Sequence, residues 1–387
     1  MEQRKNEIFF ALIRSAICGA KLSETELSSC KEELLPEFLA VSKKQDLAHL
    51  LILGLKQNGL LSQDAQKTNE KIMMQAVLRY EQLNYDFNQV CQVLENSAIP
   101  FIPLKGSVLR RYYPEPWMRT SCDIDILVHK KDLDLAIDCL VKTLNFELTG
   151  RATHDVSLYS PQRIHVELHF DLVEEGRANK AIDVLSQVWN NASVCDGFSY
   201  KYEMSDEYFY FYHIAHMAKH FETGGCGIRP FLDLWLLDKI EGVSQIKRDE
   251  LLASAELIQF ANVSRKLSKV WFSGADMDEL SMQMQNFIFD GGLYGTSNNR
   301  VAIQQKRKGG RFGYMLSRIF VPYSKLKRYY PVLEKHPWLM PFMQVRRWFM
   351  LLRPDVARMA KREIALNGNI KKSKAEEMNV FLNNIGL

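Results

Sequence analysis

Apolar residues recur with helical period from the start of the chain. Ile8, Phe9, Leu12, Ile13, Ala16 and Ile17 fall on one helix face, and Arg14 interrupts the run that a secretion signal would need. The same period continues to about residue 97, with Pro36 the one proline there, and predicts a helical region. Its stripe Met73, Met74, Val77, Leu78 and Leu83 reads as core packing. The pattern then changes. Residues 99–104 form a short apolar run with two prolines, 106–113 a helix opened by Gly106, 124–128 a strongly apolar strand, and 131–144 a further helix. Period-two alternation marks strands at 146–148, 156–159 and 164–170.

Strand and helix alternating, followed by consecutive strands, predict an α+β domain with a mixed sheet at about 98–200. Helices return at 206–221, 228–240, 248–260 and 262–272, and from about 297 glycines and prolines break the chain into short helices. The expected division is therefore 1–97, helical; 98–200, the sheet domain; 201–296, helical; and 297–387, a C-terminal helical region. No segment reaches the roughly 18 uninterrupted apolar residues of a transmembrane span, and the expected location is the cytoplasm.

Composition changes this picture little: 47% hydrophobic and 25% charged residues over 387 positions suit two or three packed domains rather than a disordered chain. Seven scattered cysteines without a CxxC pair fit a reducing compartment and argue against a disulfide framework or a structural zinc site. Charge changes it more. Between Gln304 and Ala375 there are 18 Lys or Arg against Glu334, Asp355 and Glu363, a local charge of +15 in a chain whose total is +4. Basic modules attract phosphates, nucleic acid or anionic membrane. Aromatics are interleaved there: Phe312, Tyr314, Phe320, Tyr323, Tyr329, Tyr330, Trp338, Trp348 and Phe349. Cations with rings suit RNA or single-stranded nucleic acid, residues 346–353 suit an anionic membrane surface, and a solvated charged face over an aromatic core is the plain alternative.

The candidate chemistry lies in LKGSVLRRYYPEPWMRTSCDIDILV, residues 104–128. Asp123 and Asp125 stand two apart in a strand, so both carboxylates share a face while Ile124 and Ile126 take the other. Like charges so placed call for a cation, and hard oxygen ligands suit Mg²⁺ or Mn²⁺; two solvated acids at a strand end are the alternative. In RIHVELHFD, residues 163–171, Glu167 is a third isolated acid, sharing its face with His165 and His169. Acids on two strands are what two-metal phosphoryl transfer requires. Gly106 and Ser107 open a helix where backbone and hydroxyl groups can meet a phosphate. Lys105 and Arg119 flank the acids as phosphate clamps or as structural ion pairs. His169 is the histidine best placed to assist, and His154 and His165 read as structural. His213, His216 and His220 share a helix face but lack a recognised metal spacing, and Arg229 is a substrate-side candidate.

These words resemble the DNA polymerase β-like nucleotidyltransferase superfamily, whose fingerprint is Gly-Ser or Gly-Gly, a Dx[DE] strand and a later acid. More narrowly, LKG, the YP.P..R...DIDILV stretch and VELH are similar to a group of uncharacterised nucleotidyltransferases. The resemblance is close over about 98–175 and looser through residues 213–234. It implies a nucleotidyltransferase-type mixed sheet, with Asp123 and Asp125 ligating both metals, Glu167 completing one site and serving as base, and Gly106 with Ser107 holding an NTP. The interval from Ser107 to Asp123 is longer than is usual for the superfamily, which favours Gly106 over Ser107. The expected activity is transfer of a nucleoside monophosphate to a hydroxyl of a small molecule, a protein or RNA. The alternative is a non-catalytic protein of degenerate transferase fold that binds nucleotide or RNA.

Overall fold

The computed structural model describes residues 2–173, 180–291, 295–350, 353–370 and 372–387. Five strands, β1 (Phe101–Pro103), β2 (Asp123–Val128), β3 (Glu147–Arg151), β4 (Asp155–Tyr159) and β5 (His165–His169), form one sheet in the order β1-β2-β5-β4-β3. β2 and β5 run parallel and the other neighbours antiparallel, so the sheet is mixed. Pro103 is tolerated because β1 is an edge strand.

The alternation read from the sequence sorts the two faces. Ile124, Ile126 and Val128 of β2 and Val166 and Leu168 of β5 are fully buried against two helices. One is the 34-residue Gln63–Asn96, contributing Leu83, Val90 and Leu94; the other is Leu133–Leu144, contributing Ala136, Ile137 and Leu140. Each such aliphatic side chain contributes about 1.5–3 kcal/mol, and together they hold the acids of the opposite face in register. The Leu133–Leu144 helix stops at Asn145, which adopts the left-handed conformation that asparagine tolerates at a helix end.

A second core joins both ends of the chain. Phe10 of helix Glu2–Cys18 stacks on Trp271 of helix Ile258–Ser273, with ring centroids 4.5 Å apart. Helix Ala48–Gln57 crosses the first so closely that a Cβ on Gly54 would lie 2.2 Å from the Leu12 carbonyl oxygen. Two further helices cover the acidic face of the sheet: αA, Asp206–Thr223, and αB, Arg229–Leu237. αA is capped by the Ser205 side chain and buries an unbroken run from Tyr208 to Ala215.

Four expectations change. The break expected between 260 and 262 falls instead at 255–257: Leu257 N–H donates to the Leu252 carbonyl, Glu256 takes a positive φ, and the buried pair Leu252/Leu257 closes the helix end without a glycine. A hairpin, β6 (Ala192–Val194) with β7 (Tyr202–Met204), extends the sheet side through Tyr200, whose carbonyl accepts from Phe101 N–H. Helix Glu279–Asp290, capped by Asp278, was not marked by a separate apolar pattern. In the basic region, only Tyr314 among the nine interleaved aromatics is buried, which overturns an aromatic core under a charged face. The segment 346–353 includes residues 351–352, which lie outside the described ones. Among the described residues no helix is long and apolar enough to cross a membrane.

Candidate active site

The parallel register of β2 and β5 pairs Asp123 with His165, Asp125 with Glu167 and Leu127 with His169. Side chains of paired residues lie side by side on one face, and β4 adds Asp155 beside His169. The sheet therefore gathers Asp123, Asp125 and Glu167 on one surface. That surface opens into a cavity of about 390 Å³ between the sheet and helices αA and αB.

Asp125 is the most tightly held acid. Its Oδ1 accepts from Lys105 Nζ at 2.6 Å and lies 2.9 Å from His169 Nε2, with almost no solvent exposure. Burial works against its charge, but Lys105 and then His169 outweigh burial and hold the carboxyl well below the usual range. His169 also approaches Glu167 Oε2 at 3.3 Å, and that hydrogen bond lowers the Glu167 carboxyl despite partial burial. Burial opposes the His169 imidazolium, yet its bonds to Asp125 and Glu167 raise it above the ordinary value. Among the described residues Asp123 has no such neutralising contact: burial, then the Asp125 charge, push its carboxyl up, with Lys105 pulling the other way.

Ligand atoms of Asp125, Glu167 and His169 lie within 4.8 Å of one another, as do those of His154, Asp155 and His169. Among the described residues Asp123 joins neither group, standing two register positions nearer the start of the strand. The donor set fits a divalent cation: two carboxylates supply hard oxygens, and the imidazole extends the range from Mg²⁺ toward Mn²⁺.

The turn before the short helix Gly106–Leu109 aims Lys105 at this centre. Lys105 adopts φ 44° and ψ −121°, a conformation that costs a non-glycine residue about 1–3 kcal/mol. Its ion pair with Asp125 accounts for the direction taken. Gly106 borders the cavity, and a Cβ there would meet Ser121 Cβ and Oγ at 3.2 Å. Ser107 is turned elsewhere, lining a separate cavity with Arg111 and Cys195; among the described residues its Oγ is buried without a hydrogen-bond partner.

Arg119 reaches the cavity wall, but its guanidinium is committed. Nε and Nη2 donate to the two carboxylate oxygens of Asp233 on αB at 2.8 and 2.9 Å, and Tyr113 donates to the same carboxylate at 2.8 Å. Burial raises the Asp233 carboxyl, but Arg119 overcomes it and holds the acid below its ordinary value. The next residue is clamped as well: Arg229 donates to the Thr120 carbonyl and to Asp46. These contacts fix the segment leading into Asp123.

αA forms the facing wall. His213 bonds the Pro230 carbonyl, whereas His216 and His220 place their Nε2 atoms 3.0 Å apart at the cavity. Burial pushes His216 well below its ordinary value. Among the described residues no third metal ligand joins this pair. Asp233, Asp155 and Tyr212 are the site residues that sequence reasoning missed. Only Asp233 had a local signal, a lone acid within the apolar FLDLWLL.

The acidic pair of strands, the lysine and the glycine-opened turn all face one cavity. The chain belongs to the family described as uncharacterised nucleotidyltransferase, whose model matches residues 32–268. That span contains the sheet, αA and αB and stops before the basic region. No curated protein and no solved structure matches the chain.

Proposed function

We propose that the protein is a metal-dependent nucleotidyltransferase that moves a nucleoside monophosphate from an NTP to a hydroxyl acceptor. The observation that carries this reading is the β2/β5 register, which sets Asp125 beside Glu167 with Asp123 on the same face of one cavity. Asp123, Asp125 and Glu167 would hold Mg²⁺ or Mn²⁺, with His169 at its edge. A divalent ion there supplies charge neutralisation at the reacting phosphate and the departing pyrophosphate.

The chain's own groups do the rest. Glu167, kept ionised by His169, accepts the proton of the acceptor hydroxyl. The acceptor oxygen bonds the α-phosphorus as the bond from that phosphorus to the bridging oxygen breaks, and pyrophosphate leaves with the electron pair. Lys105 lies where its ammonium can shift from Asp125 to a phosphate oxygen, and Gly106 borders the cavity that would take the triphosphate. Arg119 serves by positioning the loop rather than by touching phosphate, since Nε and Nη2 donate to Asp233 and Nη1 to the Thr120 carbonyl. The acceptor is a small molecule, a protein side chain or an RNA end, and the reaction belongs to the cytoplasm, where NTPs are held.

One observation favours the competing reading, a nucleotide binder without chemistry: Lys105 and His169 already neutralise Asp125. The two readings part on one experiment. Each NTP is titrated calorimetrically with Mg²⁺ or Mn²⁺ into the wild type and Asp125→Asn, beside an assay of pyrophosphate release. Metal-dependent binding with release, both lost in the variant, is the expected result. Metal-independent binding without release selects the binder, and no binding of any triphosphate sinks both.

A further inference from the structure

The basic region, beyond the family match, has its polarity reversed. Helix αC, Gly310–Ile319, buries Tyr314, whose hydroxyl donates to Glu363 at 2.6 Å. It turns Phe312, Met315, Leu316 and Ile319 to solvent, at the i, i+3, i+4, i+7 spacing of a single stripe. Helix αD, Met340–Met350, does the same: Gln344 is buried, its amide donating to the Val321 carbonyl, while Phe342, Val345 and Phe349 are 64%, 43% and 67% exposed. The stripes adjoin where Trp348 Nε1 donates to the Ile319 carbonyl at 2.9 Å and the Phe320 and Trp348 rings meet at 5.6 Å.

A soluble helix normally buries the apolar side, and contiguous exposed apolar surface marks an interaction site. The occupant follows from charge and side-chain type. Cations crowd both helices and the chain between them, and Glu363, one of the three acids in residues 304–375, is already paired with Arg318. A partner dense in negative charge is therefore favoured. Leu316, Ile319 and Val345 have no ring to stack on a base, which disfavours RNA. Aliphatic side chains gain instead from the acyl boundary of a bilayer, with tryptophan and arginine at headgroup level.

We propose that the αC–αD surface docks the protein on an anionic lipid bilayer, lying in the headgroup plane without crossing it. The docking is independent of the transferase reading and holds whether or not the cavity is catalytic.

The test is flotation of the full chain with vesicles of phosphatidylcholine alone or with added phosphatidylglycerol. Binding to the anionic vesicles should be stronger by about tenfold or more and should weaken with salt. Phe342→Gln/Phe349→Gln, both at solvent positions, should keep the circular dichroism spectrum and melting temperature yet lose about tenfold or more in binding. No flotation with anionic vesicles overturns the proposal, as does equal binding by the folded variant. A wild-type dimer that the variant dissolves, without vesicle binding, assigns the stripe to a second copy. Tight binding of single-stranded RNA with no vesicle binding assigns it to nucleic acid; either result overturns lipid docking.

Discussion

Two buried acids in neighbouring walls of one cavity are neutralised in different ways. Asp233 receives a bidentate guanidinium and a tyrosine hydroxyl, so both its oxygens have fixed protein donors. Asp125 receives Lys105 and His169 on a single oxygen, and two further carboxylates, Asp123 and Glu167, share its face. The first arrangement is electrostatically closed. The second retains excess negative charge, one acid whose ionisation is resisted, and a cavity in front of it. A buried ion pair is by itself weak evidence of function, because structural ion-pair networks also perturb ionisation. Incomplete neutralisation facing open space separates a reactive centre from a brace.

That contrast can be broken by exchanging the two acids' fates. The largest effect is expected from Asp125→Asn: pyrophosphate release should fall by about 10³-fold or more, measured at saturating NTP. Next, Asp233→Asn strands the buried Arg119 and should cost about 3–5 kcal/mol of stability by urea unfolding. Loss of catalysis in Asp233→Asn at unchanged stability would break the distinction. A smaller, opposite effect is expected from Asp123→Asn without metal. The folded state raises this carboxyl, so ionised Asp123 weakens folding as pH rises from its unfolded value of about 3.9 through the raised folded value. The asparagine variant should therefore melt about 1–3 °C higher at neutral pH and gain nothing well below the unfolded value. Ser107→Ala should be smallest of all. Its unpartnered hydroxyl faces away from the acids, so kcat and KM should stay within about twofold of wild type.

What the sequence disclosed about this contrast was its local half. The faces of Asp123, Asp125, Glu167 and His169 follow from a period of two and need no knowledge of the fold. That β2 and β5 would be parallel neighbours, setting Asp125 against Glu167, is a pairing across two intervening strands, which alternation does not encode. Arg119 finds Asp233 114 positions away, so its choice between phosphate clamp and brace was invisible locally. The opposite aims of Gly106 and Ser107 depend on the positive φ at Lys105, a strain that tertiary contacts sustain and propensity would not suggest. The β6–β7 hairpin escaped notice because each strand is three residues long, too short for periodicity to register.

The insertion of β5 between β2 and β4 also has a kinetic side. β3, β4 and β5 are consecutive and antiparallel, so they can zip from local turns. β2 joins them only when a loop holding a helix and two strands closes on itself, and such long-range pairings form slowly. That closure is also the step that sets Asp125 beside Glu167. A chain synthesised only as far as Val128 already carries two of its three acids but has no centre to bind with. The capacity to engage a divalent ion therefore arises with the completed sheet rather than accumulating along the growing chain.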